Sequence, residues 1–402
     1  MILNGIFGGL AILSLILMFW QWLAARWFPL HQRCIANEPN RRPAPPVTLL
    51  KPIKGCDEHT EACLRSWFAQ DYDGEVQILF AVDDAADAAR PVVQKILAEF
   101  PERDAQLIIC PERFGANGKI SKLAQLEPLV KHDFIVTSDA DVKAPANLLA
   151  DMVAQLQDEK VGLVNCFYRL ANPATLAMRW EAIAINADFW SQVLQSHSLK
   201  PLDFALGAAM AMRRKRLAEI GGFRALADCL ADDYQLGHRI AKGGYRIELS
   251  PIVVECWSAP MSWREVWRHQ LRWARTIRVC QPLPYFFSIL SNGTLWPVLW
   301  LVALQLRDEV ITWSLADDLS AVNVGFSVPA VAAAFFLLAR IVLAVNLQNR
   351  LVQSRSSLKN FWLVPLKDLL QIVIWAAAFA GNRIQWRGER YRLRRDGTLS
   401  RE

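Results

Sequence analysis

The sequence lacks the cysteine and histidine patterns of zinc modules and of disulfide scaffolds. Its eight cysteines are scattered, none forms a Cys-x-x-Cys pair, and no histidine lies at zinc spacing from two of them. Such isolated thiols predict small buried side chains in a reducing compartment.

Low-complexity segments are missing too, and charged residues are few. The chain has 402 residues, of which 53% are hydrophobic and 21% are charged. This composition excludes a disordered or collagen-like protein. At about 150 residues per domain, the length predicts two or three domains.

The chain also lacks the basic stripe of a nucleic-acid-binding protein. Its net charge is +6, and much of the basic excess flanks apolar segments, at Arg26, Arg33, Arg41, Arg42 and from Arg383 to Arg395. Charges in these positions are typical of membrane flanks, so we expect a bilayer and no nucleic acid among the partners.

Apolar segments at both ends of the chain predict membrane helices. Residues 2–24 are uncharged and long enough to cross a bilayer, with no basic stretch before them and no cleavage site after them. We therefore expect a retained anchor over 1–28, followed by a cytoplasmic region because the basic residues come after it. A membrane region is expected over 282–382, with apolar segments at about 283–306, 325–347 and 361–381.

Loop charges predict the orientation of the C-terminal membrane region. Four acidic residues, Asp308, Glu309, Asp317 and Asp318, favour an outer loop, whereas Arg350, Arg355 and Lys359 favour an inner one. The last apolar segment contains Pro365, Lys367 and Asp368, and three alternatives stay open for it: a full crossing, a re-entrant segment and an interfacial segment. Residues 383–402 are expected to form a basic tail of cytoplasmic type.

A proline-containing linker over 33–46 precedes a region of alternating strand and helix patterns. Strands are predicted at 47–52, 76–82, 105–110, 133–139 and 161–167, and helical periods fill the gaps, as at 64–70 and 91–100. This alternation predicts an α/β domain over 47–258 with a parallel sheet, whose ligands bind at the carboxyl ends of the strands.

Residues 259–281 have the pattern of a basic amphipathic helix. Trp263, Trp267, Leu271 and Ala274 recur at helical spacing, and four arginines lie alongside. A helix of this type is expected in the membrane interface.

Three acidic motifs follow predicted strands or precede a helix. Asp139 and Asp141 lie on a turn and are suited to holding a divalent cation, Mg²⁺ or Mn²⁺, against a diphosphate. Asp83 ends another strand, where a carboxylate accepts hydrogen bonds from a base or ribose. Asp232 and Asp233 precede an amphipathic stretch, where they serve either as helix caps or as a general base.

The order of these motifs resembles that of membrane glycosyltransferases of the family 2/21 type, whose pattern is D, DxD, (E/T)D and (Q/R)xxRW. The resemblance is closer to ceramide glucosyltransferases and related bacterial hopanoid glycosyltransferases. It extends to Lys51–Gly55, the Lys119 of Asn-Gly-Lys, 161–164, Asp232–Tyr234 and Arg390–Arg392. His269 stands where the family has Gln or Arg, and Asp232 stands where it often has Glu.

The resemblance implies a GT-A (Rossmann-like) domain and a set of site residues. The implied catalytic residues are Asp233 as base, with Asp232, Arg272 and Trp273. The implied donor-binding residues are Lys51, Asp83, Lys119, Asp139 and His269, and the implied metal ligands are Asp139 and Asp141.

The implied reaction is inverting transfer of a hexose to a membrane lipid. The preferred donor is UDP-glucose, and the preferred acceptor is ceramide. The alternatives are UDP-N-acetylglucosamine-dependent transfer to a hopanoid polyol and a processive polysaccharide synthase. A non-enzymatic membrane scaffold is disfavoured because every acidic motif is present. The implied location is a bacterial-type inner membrane, crossed several times, with the catalytic domain facing the cytoplasm.

Overall fold

The computed structural model describes residues 2–32, 44–305, 328–354, 359–386 and 389–401. Most of the expected linker, the acidic loop with Asp308, and Arg355 lie outside these residues. The described chain divides into two compact units, one comprising 1–27, 179–195 and 281–381 and the other comprising 28–178, 196–280 and 382–402.

Strands and helices are numbered separately in chain order. The strands are β1 Val47–Pro52, β2 Val76–Val82, β3 Ala105–Ile109, β4 Phe134–Ser138, β5 Val142–Lys143, β6 Val161–Leu170, β7 Ala209–Arg213, β8 Arg246–Cys256, β9 Arg383–Trp386, β10 Glu389–Leu393 and β11 Leu399–Arg401. The helices are α1 Ile2–Trp27, α2 Thr60–Arg65, α3 Ala89–Glu99, α4 Gly118–Leu126, α5 Leu148–Gln155, α6 Leu176–Ile183, α7 Trp190–Leu199, α8 Arg214–Glu219, α9 Asp232–Lys242, α10 Trp263–Cys280, α11 Pro282–Phe287, α12 Leu295–Gln305, α13 Val328–Val352 and α14 Leu363–Phe379.

Eight strands form one mixed sheet in the order β3-β2-β1-β4-β7-β6-β8-β5. The first four of these strands are parallel, as the alternating pattern predicts. β7 runs antiparallel to both β4 and β6, so the sheet is not purely parallel. Buried side chains such as Leu49, Phe80 and Val136 form its core.

The first helix after β1, α2, begins earlier than predicted. The helical period at 64–70 is replaced by α2, which covers Thr60–Arg65. The Asp57 carboxylate accepts hydrogen bonds from the backbone N–H groups of His59 and Thr60 at 3.0 and 2.9 Å. Because these bonds satisfy N–H groups at the start of the helix, they favour a start ahead of the apolar period.

The C-terminal residues form a sheet where a tail was expected. β9, β10 and β11 pair in an antiparallel sheet over 383–401. Its apolar face, with Ile384, Tyr391, Leu393 and Leu399, buries against Leu230. Arginines between these apolar positions point to the other face and produce the tail-like composition.

The unit that comprises 1–27, 179–195 and 281–381 contains the apolar helices. α1 and α13 are each long and apolar enough to cross a membrane. Pro282–Ser291, which contains α11, forms with α12 a pair bent by 51° that has the composition of a third span. α14 has 17 residues and carries Pro365, Lys367 and Asp368. All seven cysteines that the structure describes are free thiols, and four of them are buried.

A buried ion network joins the apolar helices. Arg340 of α13 donates two hydrogen bonds of 2.8 Å to Asp368 of α14 and one of 2.9 Å to Asp188. Lys367 pairs with both carboxylates, and Thr294 donates to Asp368 at 2.7 Å. Two cations thus balance two anions, which explains how charges are accommodated in an apolar unit.

We expect Arg340→Ala to destabilise the protein because it leaves two buried carboxylates with one cation. Breaking a buried ion pair from one side usually costs about 3–5 kcal/mol of unfolding free energy. The measurement is the thermal unfolding temperature of detergent-purified protein. Leu338→Ala, two residues away on the same helix with a 60% exposed side chain, is the matched control, and equal unfolding temperatures for the two variants would contradict the prediction.

Candidate active site

The polar side chains predicted to share one edge of the sheet do lie at the carboxyl ends of neighbouring strands. Lys51 lies near the end of β1, Asp83 follows β2, and Asp139 follows β4. These three strands are adjacent and parallel. The edge is therefore the position at which α/β sheets bind ligands.

A buried lysine holds the turn that carries Asp139 and Asp141. The Lys51 ammonium is fully buried, donates a hydrogen bond to the Ser138 hydroxyl at 3.2 Å and also donates to the Asp139 carbonyl. Burial lowers the pKa of Lys51 to about 8, against the opposing pull of Asp139 and Asp141. Through these two hydrogen bonds, Lys51 fixes the backbone of this turn.

Asp141 has an increased affinity for protons. Solvent reaches its side chain, but the surrounding protein and the charge of Asp139 raise its pKa to about 6. Two carboxylates placed in this way repel each other, and a cation between them relieves the repulsion.

The donor set of Asp139 and Asp141 fits a hard divalent cation. Mg²⁺ is commonly held by one or two carboxylates together with substrate phosphates and waters. In the part of the chain that the structure describes, no cluster of three or more His, Cys, Asp or Glu side chains is placed to hold a metal. A cation here therefore needs ligands from a substrate as well as from the protein.

Lys119 connects this turn to the third acidic motif. Its ammonium lies 2.8 Å from an Asp139 carboxylate oxygen and 3.1 Å from one of Asp232. The second contact is an ion pair without hydrogen-bond alignment. Burial lowers the pKa of Lys119, but the charges of Asp139 and Asp232 outweigh it and raise the pKa above its usual value. Lys119 therefore stays charged between the two motifs.

Asn117 explains why Lys119 is so placed. Its side-chain oxygen accepts hydrogen bonds from the backbone N–H groups of Lys119 and Ile120 at 3.0 and 3.2 Å, which caps α4. Its amide nitrogen donates to Asp232 at 3.2 Å. The sequence reasoning had no signal for this second contact, which joins residues 115 positions apart.

Asp232 and Asp233 lie in different surroundings at the start of α9. Asp232 is engaged by Asn117 and Lys119, whereas one Asp233 oxygen accepts from the Tyr234 N–H at 2.7 Å. The other oxygen lies over Gly207, where a Cβ would approach it to 2.7 Å. Burial and the charge of Asp232 raise the pKa of Asp233 to about 6, which suits a general base near neutral pH.

Asp83 lies among cations in a neighbouring depression. Its carboxylate is 2.5 Å from the buried Lys122 ammonium, 3.9 Å from Lys54 and 4.0 Å from Arg113. Lys122 was missed by the sequence reasoning, although it lies almost one helical turn after Lys119 on α4. Trp386 and Tyr391 also line this depression. Tyr391 lies in the Arg390–Arg392 stretch of the family resemblance, whereas Trp386 was missed because a tail was expected there.

The tryptophan motif of α10 makes aromatic contacts. The rings of His269 and Trp273 are 4.8 Å apart, and Trp273 packs edge-on against Tyr168 of β6 at 6.3 Å. The Arg272 guanidinium lies 6.0 Å from the Trp386 ring centre. Through Trp386, this motif reaches the depression that contains Asp83.

Comparisons with known proteins identify the family. The family model described as "Glycosyl transferase family 21" matches residues 9–399. A ceramide glucosyltransferase of Candida albicans is 36% identical over 121 residues, which cover 27% of this chain and 22% of that protein. An N-acetylglucosaminyltransferase of Rhizobium meliloti is 26% identical over 266 residues, which cover 62% of this chain and 59% of that protein.

The fold also has a relative of known structure. A mannosyltransferase from Pyrobaculum calidifontis, solved with GDP-mannose and Mn²⁺, has a TM-score of 0.52 at 21% identity, and the match covers 92% of this chain and 99% of that one. The predicted GT-A fold and the predicted family resemblance are therefore confirmed. This chain spans less than two thirds of the length of the curated relatives named above.

Proposed function

This chain belongs to glycosyl transferase family 21 and is therefore a sugar-transferring enzyme, and we propose that it transfers a hexose from a UDP-sugar to the hydroxyl of a membrane lipid. The first-choice pair is UDP-glucose and ceramide. A ceramide glucosyltransferase is among its relatives, and the apolar helices supply the membrane attachment that a lipid acceptor requires.

The contact that carries the proposal is the ion pairing of Lys119 with both Asp139 and Asp232. It brings the turn suited to a cation and a diphosphate next to Asp233, the candidate base. Sugar transfer needs both features within the length of one sugar–diphosphate group.

In the proposed reaction Asp233 accepts the proton of the acceptor hydroxyl while that oxygen attacks the anomeric carbon. The bond from that carbon to the diphosphate oxygen breaks in the same displacement, which inverts the configuration. Positive charge builds on the sugar ring, as in other oxocarbenium-like transition states. Asp232 positions the start of α9 through its contacts with Lys119 and Asn117.

The remaining residues act on the nucleotide. Asp139 and Asp141 would hold Mg²⁺ or Mn²⁺, which when bound supplies positive charge to the departing diphosphate. Lys51 holds their turn, Lys119 adds a fixed charge beside Asp139, and Asp83 accepts hydrogen bonds from the nucleoside. Arg272 would oppose diphosphate charge, and Trp273 with His269 would fix the Arg272 helix by ring packing.

The second candidate is transfer of N-acetylglucosamine to a hopanoid polyol. The Rhizobium meliloti N-acetylglucosaminyltransferase, which aligns over more of this chain than the Candida albicans protein, favours keeping it. A processive polysaccharide synthase is the third candidate. In each case we propose a multi-pass protein of a bacterial-type inner membrane with its active site facing the cytoplasm.

The test is a panel of UDP-sugars and lipid acceptors given to purified protein, with products identified by mass spectrometry. We expect a hexosylated ceramide from UDP-glucose and none from protein carrying Asp233→Asn. A glycosylated hopanoid from UDP-N-acetylglucosamine would replace the first candidate by the second, and a lengthening polymer would favour the third. No transfer from any nucleotide-sugar would refute the proposal.

A further inference from the structure

Residues from two distant parts of the sequence, 54–118 and 386–391, line the depression beside Asp83. Lys54, Asp83 and Arg113 come from the loops after the strands and Gly118 from the start of α4, whereas Trp386 and Tyr391 come from the C-terminal sheet. The two groups are separated by more than 260 residues in sequence. The C-terminal sheet therefore forms a wall next to a side chain that the proposed function assigns to the nucleotide.

This wall is held firmly in place. The Leu399 N–H donates to the Asp228 carbonyl at 2.7 Å. Arg275 and Arg278 of α10 donate to the Arg383 carbonyl and to the Asn382 side chain. The buried apolar cluster around Leu230 includes Tyr391 and packs against Trp386, so it holds the same face of the sheet.

The chemistry of the depression suits a nucleoside with phosphates attached. It combines an indole ring, a carboxylate that accepts hydrogen bonds, and the cations Lys54 and Arg113. A second carboxylate, Glu389, also lines it, but this group is paired with Arg401 at 3.3 Å and accepts from the Tyr391 hydroxyl. With Lys122 on Asp83, the positive charges outnumber the negative ones.

The position of the depression relates it to the proposed diphosphate site. The Arg113 guanidinium lies directly over Gly118, where a Cβ would come within 2.2 Å of it. The next residue, Lys119, reaches Asp139 at 2.8 Å. The depression and the Asp139 turn therefore flank one short stretch of α4, as the nucleoside and diphosphate ends of one ligand require.

We propose that the C-terminal sheet is part of the donor site, with the Trp386 indole packing against the nucleoside of the nucleoside diphosphate that Asp83 binds. This inference rests on the proposed function and adds to it a specificity-determining residue. It also gives Arg272 a partner at the donor, because its guanidinium contacts the same indole.

The test measures binding to detergent-purified full-length protein by calorimetry, with UDP and inorganic pyrophosphate as separate probes in the presence of Mn²⁺. We expect Trp386→Ala to raise the dissociation constant for UDP about tenfold or more, the usual effect of losing one base–aromatic contact. Pyrophosphate has no nucleoside, so its dissociation constant should change much less than that for UDP, and any small change would come through Arg272, which contacts the indole. Trp386→Phe should restore most of the UDP affinity because it keeps an aromatic face.

Gln385→Ala is the matched control. Gln385 neighbours Trp386 on β9, is exposed, and points to the opposite face because side chains alternate along a strand. We expect wild-type affinity for both probes.

The outcomes separate this inference from the proposed function. Wild-type protein that binds UDP, together with a Trp386→Ala variant of equal affinity, would overturn the inference alone. Equal losses of UDP and pyrophosphate would also overturn it, because Trp386 would then act on the phosphate side. Wild-type protein that binds no nucleoside diphosphate would overturn both.

A measurement on the wild-type protein keeps the inference testable if Trp386→Ala does not fold. Binding of UDP should slow amide hydrogen exchange in β9 and β10, as well as after β2 around Asp83. Unchanged exchange in β9 and β10 at saturating UDP would refute the proposed contact.

Discussion

Protein with Asp233→Asn should bind UDP as tightly as the wild type and turn over about 10²- to 10⁴-fold more slowly. That range is the usual contribution of general acid–base catalysis. Asparagine keeps the shape of the side chain and the hydrogen bond from the Tyr234 N–H, but it cannot accept the acceptor's proton. The measurement is turnover with saturating donor and acceptor beside calorimetric UDP binding.

Asp232→Asn separates the two neighbouring carboxylates. Asp232 pairs with Lys119 and accepts from Asn117, so its loss should disturb nucleotide binding as well as turnover. If Asp233→Asn turned over at a near-normal rate and Asp232→Asn were strongly impaired, Asp232 would be the base instead.

The pH dependence of turnover tests the role of Asp233 as general base in a second way. Because the pKa of Asp233 is raised to about 6, the carboxylate is ionised above that pH and protonated below it. Turnover should therefore fall as the pH drops through about 6, and this fall should disappear in the Asp233→Asn protein. Saturating Mn²⁺ is needed in both measurements because protons and metal compete for Asp141, whose pKa is also raised to about 6.

The sequence predicted those parts of the fold that depend on local pattern. β1 and β2 have the predicted bounds because each is a short apolar run rich in β-branched residues or leucine. β7 was missed because its residues, Ala-Met-Ala-Met-Arg, favour helices, and only pairing with β4 and β6 makes them a strand. The C-terminal sheet was missed because its arginines dominate the composition.

The candidate site also has a part that the sequence predicted and a part that it could not predict. The rule that parallel strands share an edge was sufficient to bring Asp83 and Asp139 to one end of the sheet. It could not show that Lys119 bridges Asp139 and Asp232, since that contact depends on the capping of α4 by Asn117. Trp386 could not be predicted either, because its place depends on how the C-terminal sheet docks.

Removal of divalent cations should lower turnover at least about 10²-fold, because several kcal/mol of charge stabilisation at the departing diphosphate are lost. Asp139→Asn should have a similar effect and should also weaken Mn²⁺ binding, measured by electron paramagnetic resonance in the presence of UDP. The matched control is Asp84→Asn, an exposed strand-end carboxylate whose side chain accepts from the Ala86 N–H. Its activity and Mn²⁺ affinity should stay at wild-type values.

Lys119 offers an alternative to a metal ion for neutralising the diphosphate. Its ammonium already lies 2.8 Å from Asp139, and it is one cation that the protein itself places beside the proposed diphosphate site. If protein treated thoroughly with EDTA keeps full activity, Lys119 and Arg272 are sufficient to neutralise the diphosphate, and the pairing of Asp139 with Asp141 serves another purpose. Restoration of activity by Mn²⁺ or Mg²⁺ in the wild type, but not in the Asp139→Asn protein, would instead locate the required cation at this turn.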